Sequence, residues 1–137
     1  MQRFIPFLLV LSLTSQFANA DWKPILGIGS GVTSNNYSDV TAATFNDNDI
    51  IIIYTDALCS GTDITEYVLN VNETPVNMAF ACVSGKEVVG ASTERGREFI
   101  FNEFKSKNIV TIGKWIFSAK GFLKAREVSI KNAKNAL

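Results

Sequence analysis

The amino-acid sequence predicts a mainly β fold of the α+β kind: a small antiparallel sheet or sandwich, one packed amphipathic helix and a basic C-terminal segment. Three observations carry this expectation. Residues 50–54 form an unbroken apolar run rich in β-branched side chains, the composition of a buried strand. Residues 65–71 and 76–82 alternate apolar and polar side chains on either side of a short polar break, the period of two that marks half-buried strands. Between residues 93 and 108 the apolar period changes to that of a helix.

The first twenty residues stand apart from this fold. Arg3 is followed by an apolar run from Phe4 to Leu13, a polar stretch, and Ala18-Asn19-Ala20. That order of charge, short apolar core and small-x-small site predicts a cleavable signal peptide over residues 1–20. A retained membrane anchor is the alternative, but about ten apolar residues fall short of the roughly twenty that a bilayer core demands, and Pro6 weakens them further as a helix. The mature chain, residues 21–137, has the length of a single small β-rich domain. It is expected to be periplasmic or secreted, with no membrane span left after cleavage.

Residues 21–48 are rich in Gly, Ser, Thr and Asn and read as an irregular beginning with one or two short strands. The organised part starts at Asp49. Ile50 to Tyr54 is read as a strand covered on both faces, at the centre of the sheet. Thr65–Val71 places Tyr67, Leu69 and Val71 on one side. The turn at residues 72–75 returns the chain as a strand with Val76, Met78, Phe80 and Cys82 in phase, so the two runs form a hairpin whose apolar faces share one core. Ser84-Gly85-Lys86 is a second tight turn, and residues 87–92 return as a further strand. Arg97, Phe101 and Phe104, with Ile100 beside them, make the apolar stripe of a short helix, and phenylalanines on such a stripe belong to the core more often than to a ligand site. Residues 109–117 read as one strand, with Gly113 as a bulge or bend. This gives roughly four to six strands between Asp49 and Phe117. Residues 121–137 carry Leu123, Ile130 and Leu137 at heptad spacing, which favours a thinly apolar helix; a strand over residues 122–128 is the alternative.

Charge is balanced over the whole chain but not along it. Residues 21–85 hold eight acidic side chains against Lys23 alone, whereas residues 86–137 hold eleven basic against five acidic. Either the halves interleave in the fold, or the tail presents a basic face of Lys114, Lys120, Lys124, Arg126, Lys131 and Lys134 to an anionic surface. The overall balance gives no reason to expect nucleic acid as a partner.

There is no histidine, which excludes Ser-His-Asp and Cys-His catalysis and any histidine-ligated metal. Acidic residues from Asp47 to Glu73 keep a carboxylate hydrolase open. Asn46-Asp47-Asn48-Asp49 lacks the Gly and closing Glu of a calcium loop, and Gly27-Ile28-Gly29-Ser30-Gly31 lacks the lysine and helix of a phosphate loop. No cofactor or metal is expected. Trp22, Tyr37, Tyr54, Tyr67 and Trp115 are amphipathic aromatics of the kind used as binding anchors, Trp115 being open to the alternative of a core-rim residue.

Cys59 and Cys82 are the only cysteines. In an exported chain they are expected to form one intramolecular disulfide, with two buried thiols as the alternative should their backbones lie too far apart.

The strand ending at Cys82, the helix ending at Phe104 and the run Ile116-Phe117-Ser118-Ala119-Lys120-Gly121-Phe122 resemble, in their order, the invasion-associated locus B family of exported bacterial proteins. The resemblance covers about half of the chain. Where that family has a Gly-Cys pair after the strand cysteine, this sequence has Gly85-Lys86. The resemblance implies a mainly β periplasmic domain without established catalysis. The functional expectation is accordingly a small exported, non-enzymatic binding protein whose partner is another envelope or secreted protein. The competing readings are an inhibitor or immunity-type protein against an envelope-targeting enzyme, and the carboxylate hydrolase.

Overall fold

A computed structural model describes residues 21–25 and 28–136; the predicted signal peptide lies outside them. The chain is mainly β. Strands β1 (Lys23–Ile25), β2 (Gly29–Thr33), β3 (Thr41–Phe45) and β4 (Ile51–Leu58) form a meander, followed by β5 (Thr65–Val71), β6 (Thr74–Val83) and β7 (Lys86–Ala91). Helix α1 (Glu94–Ser106), the hairpin β8 (Ile109–Ile112) and β9 (Trp115–Ser118), and helix α2 (Phe122–Lys134) complete it. All nine strands pair antiparallel in one sheet, in the order β1-β2-β3-β4-β7-β6-β5-β8-β9.

The sheet curls until its far edge meets its beginning. The outer edge of β9 finds partners in the β2–β3 connection: the Asn35 N–H donates to the Ile116 carbonyl (2.7 Å), and the Ile116 N–H donates to Asn36 Oδ1 (3.0 Å). Asn36 Nδ2 donates in turn to the Lys114 carbonyl (2.8 Å). The Asn35 backbone N–H and the Asn36 side-chain amide thus replace a strand ladder along the seam, satisfying an edge that would otherwise be open.

The concave side holds the core. Thr93 caps α1 by accepting from the Gly96 N–H, and the helix buries Gly96, Ile100 and Phe104 against Val76, Met78 and Val89 of the sheet. This corrects the expected stripe by one position: Phe101 is only half-buried and packs on the margin of the core. Ridge positions four apart, rather than the Arg97–Phe101 pair, face inward. Trp22 meets Phe104 and Phe122 edge to face at centroid distances of 5.2 and 4.8 Å, and its indole N–H donates to the Ser118 carbonyl (2.8 Å). Its expected role as a surface anchor is therefore replaced by one in the core; Trp115 is buried as well.

Several expectations give way here. Residues 21–48 form three strands rather than an irregular beginning. Their Gly, Ser and Ala side chains are small because α2 lies on β1 and β2, where Ala125 and Ser129 are buried and the Ser129 hydroxyl donates to the Gly29 carbonyl (2.7 Å). Strand β4 lies beside the central β7 rather than at the centre itself, and it alternates: Ile51 and Ile53 are buried while Tyr54 is 39% exposed, so only one face is covered. Residues 109–117 are a hairpin, not one strand. Gly113 takes φ +56°, which an L side chain rarely adopts, and turns the chain between Ile112 and Trp115, which pair. The turn before β6 is likewise tighter than expected, with Asn72 at φ +51° and Thr74–Pro75 already in the strand. The C-terminal segment is a helix, but Phe122, Ala125 and Ser129 face inward and Leu123 is exposed, so the heptad marked the wrong face. Leu137 lies outside the described residues.

Candidate functional site: a disulfide-stapled arm

Strand order forces a crossing. Strand β4 lies beside β7, whereas β5 lies two strands further on, so the connection at residues 59–64 must pass over the ends of β7 and β6. A bulge between Tyr54 and Leu58 redirects β4 into that crossing, held where the Thr55 hydroxyl donates to the Glu87 carbonyl (2.9 Å) and accepts from the Ala57 N–H (3.2 Å). The Cys59 N–H donates to the Gly85 carbonyl (3.0 Å), and a disulfide joins Cys59 to Cys82 of β6 with the Cα atoms 5.7 Å apart. The expected pairing is thus present, and it closes the crossing onto the hairpin.

What this device holds is a part of the sheet that reaches past the core. From Asp56 to Val68 every residue except half-buried Cys59 is exposed. Leu58 is 85% exposed, Ile64 68%, Tyr67 and Val68 59% each, and Val83 53%. The register explains their arrangement: Leu58 pairs with Lys86 and Lys86 with Val83, placing Leu58 and Val83 on the convex face, together with Tyr54 opposite Val88 and Val88 opposite Ala81. Partial burial pushes the Tyr54 phenol above its usual pKa. On the concave side Tyr67 packs edge to face on Phe80 at 5.3 Å. Asp56, Asp63 and Glu66 are exposed along the same arm. Isolated exposed apolar residues are ordinary, but here Leu58 and Val83 flank Lys86 on the convex face and Ile64 precedes β5, so exposed apolar side chains gather among charged ones at the stapled end of the arm, the surface pattern of a contact site.

Of the six tail cations, Lys114 and Arg126 are held by neighbours apart from the lysines of α2 and the turn before it. Lys120 and Lys124 join Lys105 and Lys107 around a cleft of about 370 Å³ where α1 ends and α2 begins. Lys114 is at the β8–β9 turn, 5.3 Å over the Tyr37 ring. Arg126 pairs with Asp49, donates to the Asn48 carbonyl (3.3 Å) and lies 5.4 Å over Phe101, tying α2 to the β3–β4 connection. Lys131 and Lys134 are exposed near the end of α2. The two charge halves therefore do interleave at Arg126–Asp49.

A cleft of about 390 Å³ is lined by Asp49, Glu94 and Glu98 with Arg97 and Lys105 among its other walls. Its three carboxylates face two lining cations, and Asp49 is engaged by Arg126. Gly29, Ser30 and Gly31 belong to β2, so no phosphate loop forms there; Gly27 lies outside the described residues. Among the described residues no group of three or more metal-ligating side chains occurs, and no helix is long and apolar enough to cross a membrane. No family model, no curated protein and no solved structure matches the chain.

Sequence reasoning found the two cysteines and the hairpin but missed the arm. It places Tyr67 in phase with the core face while also naming it a candidate anchor; the side chain is exposed, because alternation reports which face a side chain takes and not how far along the strand the core extends.

Proposed function

We propose that this chain is an exported, non-enzymatic binding protein, periplasmic or secreted, that engages another envelope or secreted protein through the stapled arm. The observation that carries this reading is the apolar group Leu58, Ile64 and Val83, standing clear of the core on a segment fixed by Cys59–Cys82. Displaying such side chains rigidly to water is costly unless a partner covers them, and fixing them beforehand lowers the entropy lost on binding. The disulfide supports an oxidising compartment, in keeping with the leader at residues 1–20. The acidic rim of Asp56, Asp63 and Glu66 suits a partner surface with an apolar centre and basic margin, as a projecting plug of an inhibitor would require.

The exported protein is expected to begin at Asp21 by mass spectrometry, and a mass retaining residues 1–20 would remove the export reading. For binding, Leu58→Ser with Ile64→Ser should change unfolding free energy by less than about 0.5 kcal/mol per site, since both side chains are exposed. Native sizing of the exported fraction should show the wild-type protein travelling with a larger species and the double variant travelling alone. Identical migration of the two would refute the reading.

A further inference from the structure

We infer that the outer edge of β5, over Thr65–Leu69, is a self-pairing edge through which two copies of this chain join their sheets about a two-fold axis at Tyr67. The inference does not rest on the partner-binding reading, because it concerns the backbone of β5 rather than Leu58 and Ile64.

Every other edge of the sheet is closed or blunted. That of β9 is satisfied by Asn35 and Asn36. That of β1 is three residues long and carries Lys23 and Pro24, the two residue types that most discourage strand addition. Strand β5 differs. It pairs with β6 from Thr65 to Val71, but with β8 only at Val71. The bonds flanking that bridge run from the Gly113 N–H to the Asn70 carbonyl (2.9 Å) and from the Asn72 N–H to the Thr111 carbonyl (2.7 Å). In an antiparallel ladder the N–H and C=O of one residue point to the same side and alternate along the strand. Asn70 faces β8, so Glu66 and Val68 also direct their backbone groups outward, beyond the point where β8 stops. Thr65, Tyr67 and Leu69 direct theirs to β6. The stretch is regular, contains neither lysine nor proline, and is exposed from Thr65 to Val68.

These constraints choose an occupant and a register. Centring the two-fold on Tyr67 sets Glu66 opposite Val68 of the partner subunit, and Val68 opposite the partner subunit's Glu66, so all four outward-facing residues pair with one another. Each such pair exchanges both backbone hydrogen bonds. Thr65 meets the partner's Leu69, and the repeat ends where β8 begins on each side. No like charges stand directly opposite. Centring on Val68 instead would set Thr65 against Val71, whose edge β8 already occupies. The Tyr67 register is the one that fits the free length.

Sedimentation equilibrium of the mature protein, residues 21–137, should show the mass doubling as concentration rises into the millimolar range. Val68→Pro removes the outward N–H without touching the β5–β6 ladder, and this variant should sediment as a monomer throughout. Amide exchange on the wild-type protein gives a second reading independent of that variant's folding. The Glu66 and Val68 amides should slow by roughly tenfold or more between dilute and concentrated samples, while Tyr67 and Leu69 are protected in both. A monomer at every concentration, a dimer that persists in folded Val68→Pro, or concentration-independent exchange at Glu66 and Val68 would each overturn the inference. Leu58→Ser with Ile64→Ser should leave self-association intact, so failure here and failure of partner binding are separately visible.

Discussion

Replacing Trp22 with alanine is expected to destabilise the fold by about 3–5 kcal/mol, the range for removing a buried aromatic whose cavity cannot collapse. Trp22 is 4% exposed and wedged between Phe104 of α1 and Phe122 of α2. Its backbone N–H donates to the Lys120 carbonyl (3.0 Å) while its indole N–H donates to Ser118. It therefore links the residues just before β1 to the segment joining β9 to α2. Gly121, at φ +79°, makes that junction possible: a Cβ there would lie 3.4 Å from the Trp22 carbonyl oxygen, in a backbone conformation that side-chain-bearing residues resist. A small domain has on the order of 5–15 kcal/mol in total, so the loss should move the urea midpoint by a large fraction. Trp22→Phe retains the stacking and loses the indole bond, and should cost about 1–2 kcal/mol. Equal denaturation midpoints for Trp22→Ala and the wild type would contradict the packing described for this residue.

Removing the disulfide should have the next largest effect. Cys59 and Cys82 are 23 residues apart in sequence, and the chain-entropy estimate for a loop of that size is roughly 3–3.5 kcal/mol. For a domain of this length that corresponds to a fall in Tm on the order of 10–15 °C. The arm has few buried contacts of its own, so its order depends on the bridge more than that of the concave core does. Cys59→Ser with Cys82→Ser should consequently become sensitive to proteolysis within residues 59–64 well below its Tm, while the oxidised protein resists. A variant that melts with the wild type and shows no cleavage there would mean that the bridge neither stabilises the fold nor orders the arm.

Much of the fold was legible because local patterns in this chain agree with their surroundings. Thr65–Val71 alternates and is a strand with those same ends; Thr93 precedes the helix and caps it; two lone cysteines pair. What failed were readings that depended on long-range geometry. Residues 21–48 are rich in Gly, Ser, Thr and Asn with weak apolar patterning, a composition that reads as irregular but in part reflects α2 resting close on β1 and β2. In the last helix, Leu123 and Ile130 outweighed Ala125 and Ser129 in hydrophobicity, although a close helix–sheet approach selects small residues. Tyr67 was in phase with the core face, yet the core ends before reaching it. The arm follows from strand order, since only a β4–β7 pairing forces residues 59–64 across two strand ends, and no local pattern encodes that order. The six tail cations were legible as a charge excess but not as a site, because their distribution over the β8–β9 turn, the α2 start and the α2 end is set by tertiary structure. Arg126 in particular is drawn to Asp49, from the acidic half.

The most direct test places a photo-reactive side chain at Leu58 in one version of the protein and at Lys131 in another, and illuminates cells that export each. Both sites are exposed, so both versions should fold, but one lies on the arm and the other on the basic tail. The account predicts a discrete covalent adduct between the Leu58 version and a polypeptide other than this chain, and none from the Lys131 version. No adduct from Leu58, or an adduct from Lys131 alone, would contradict it.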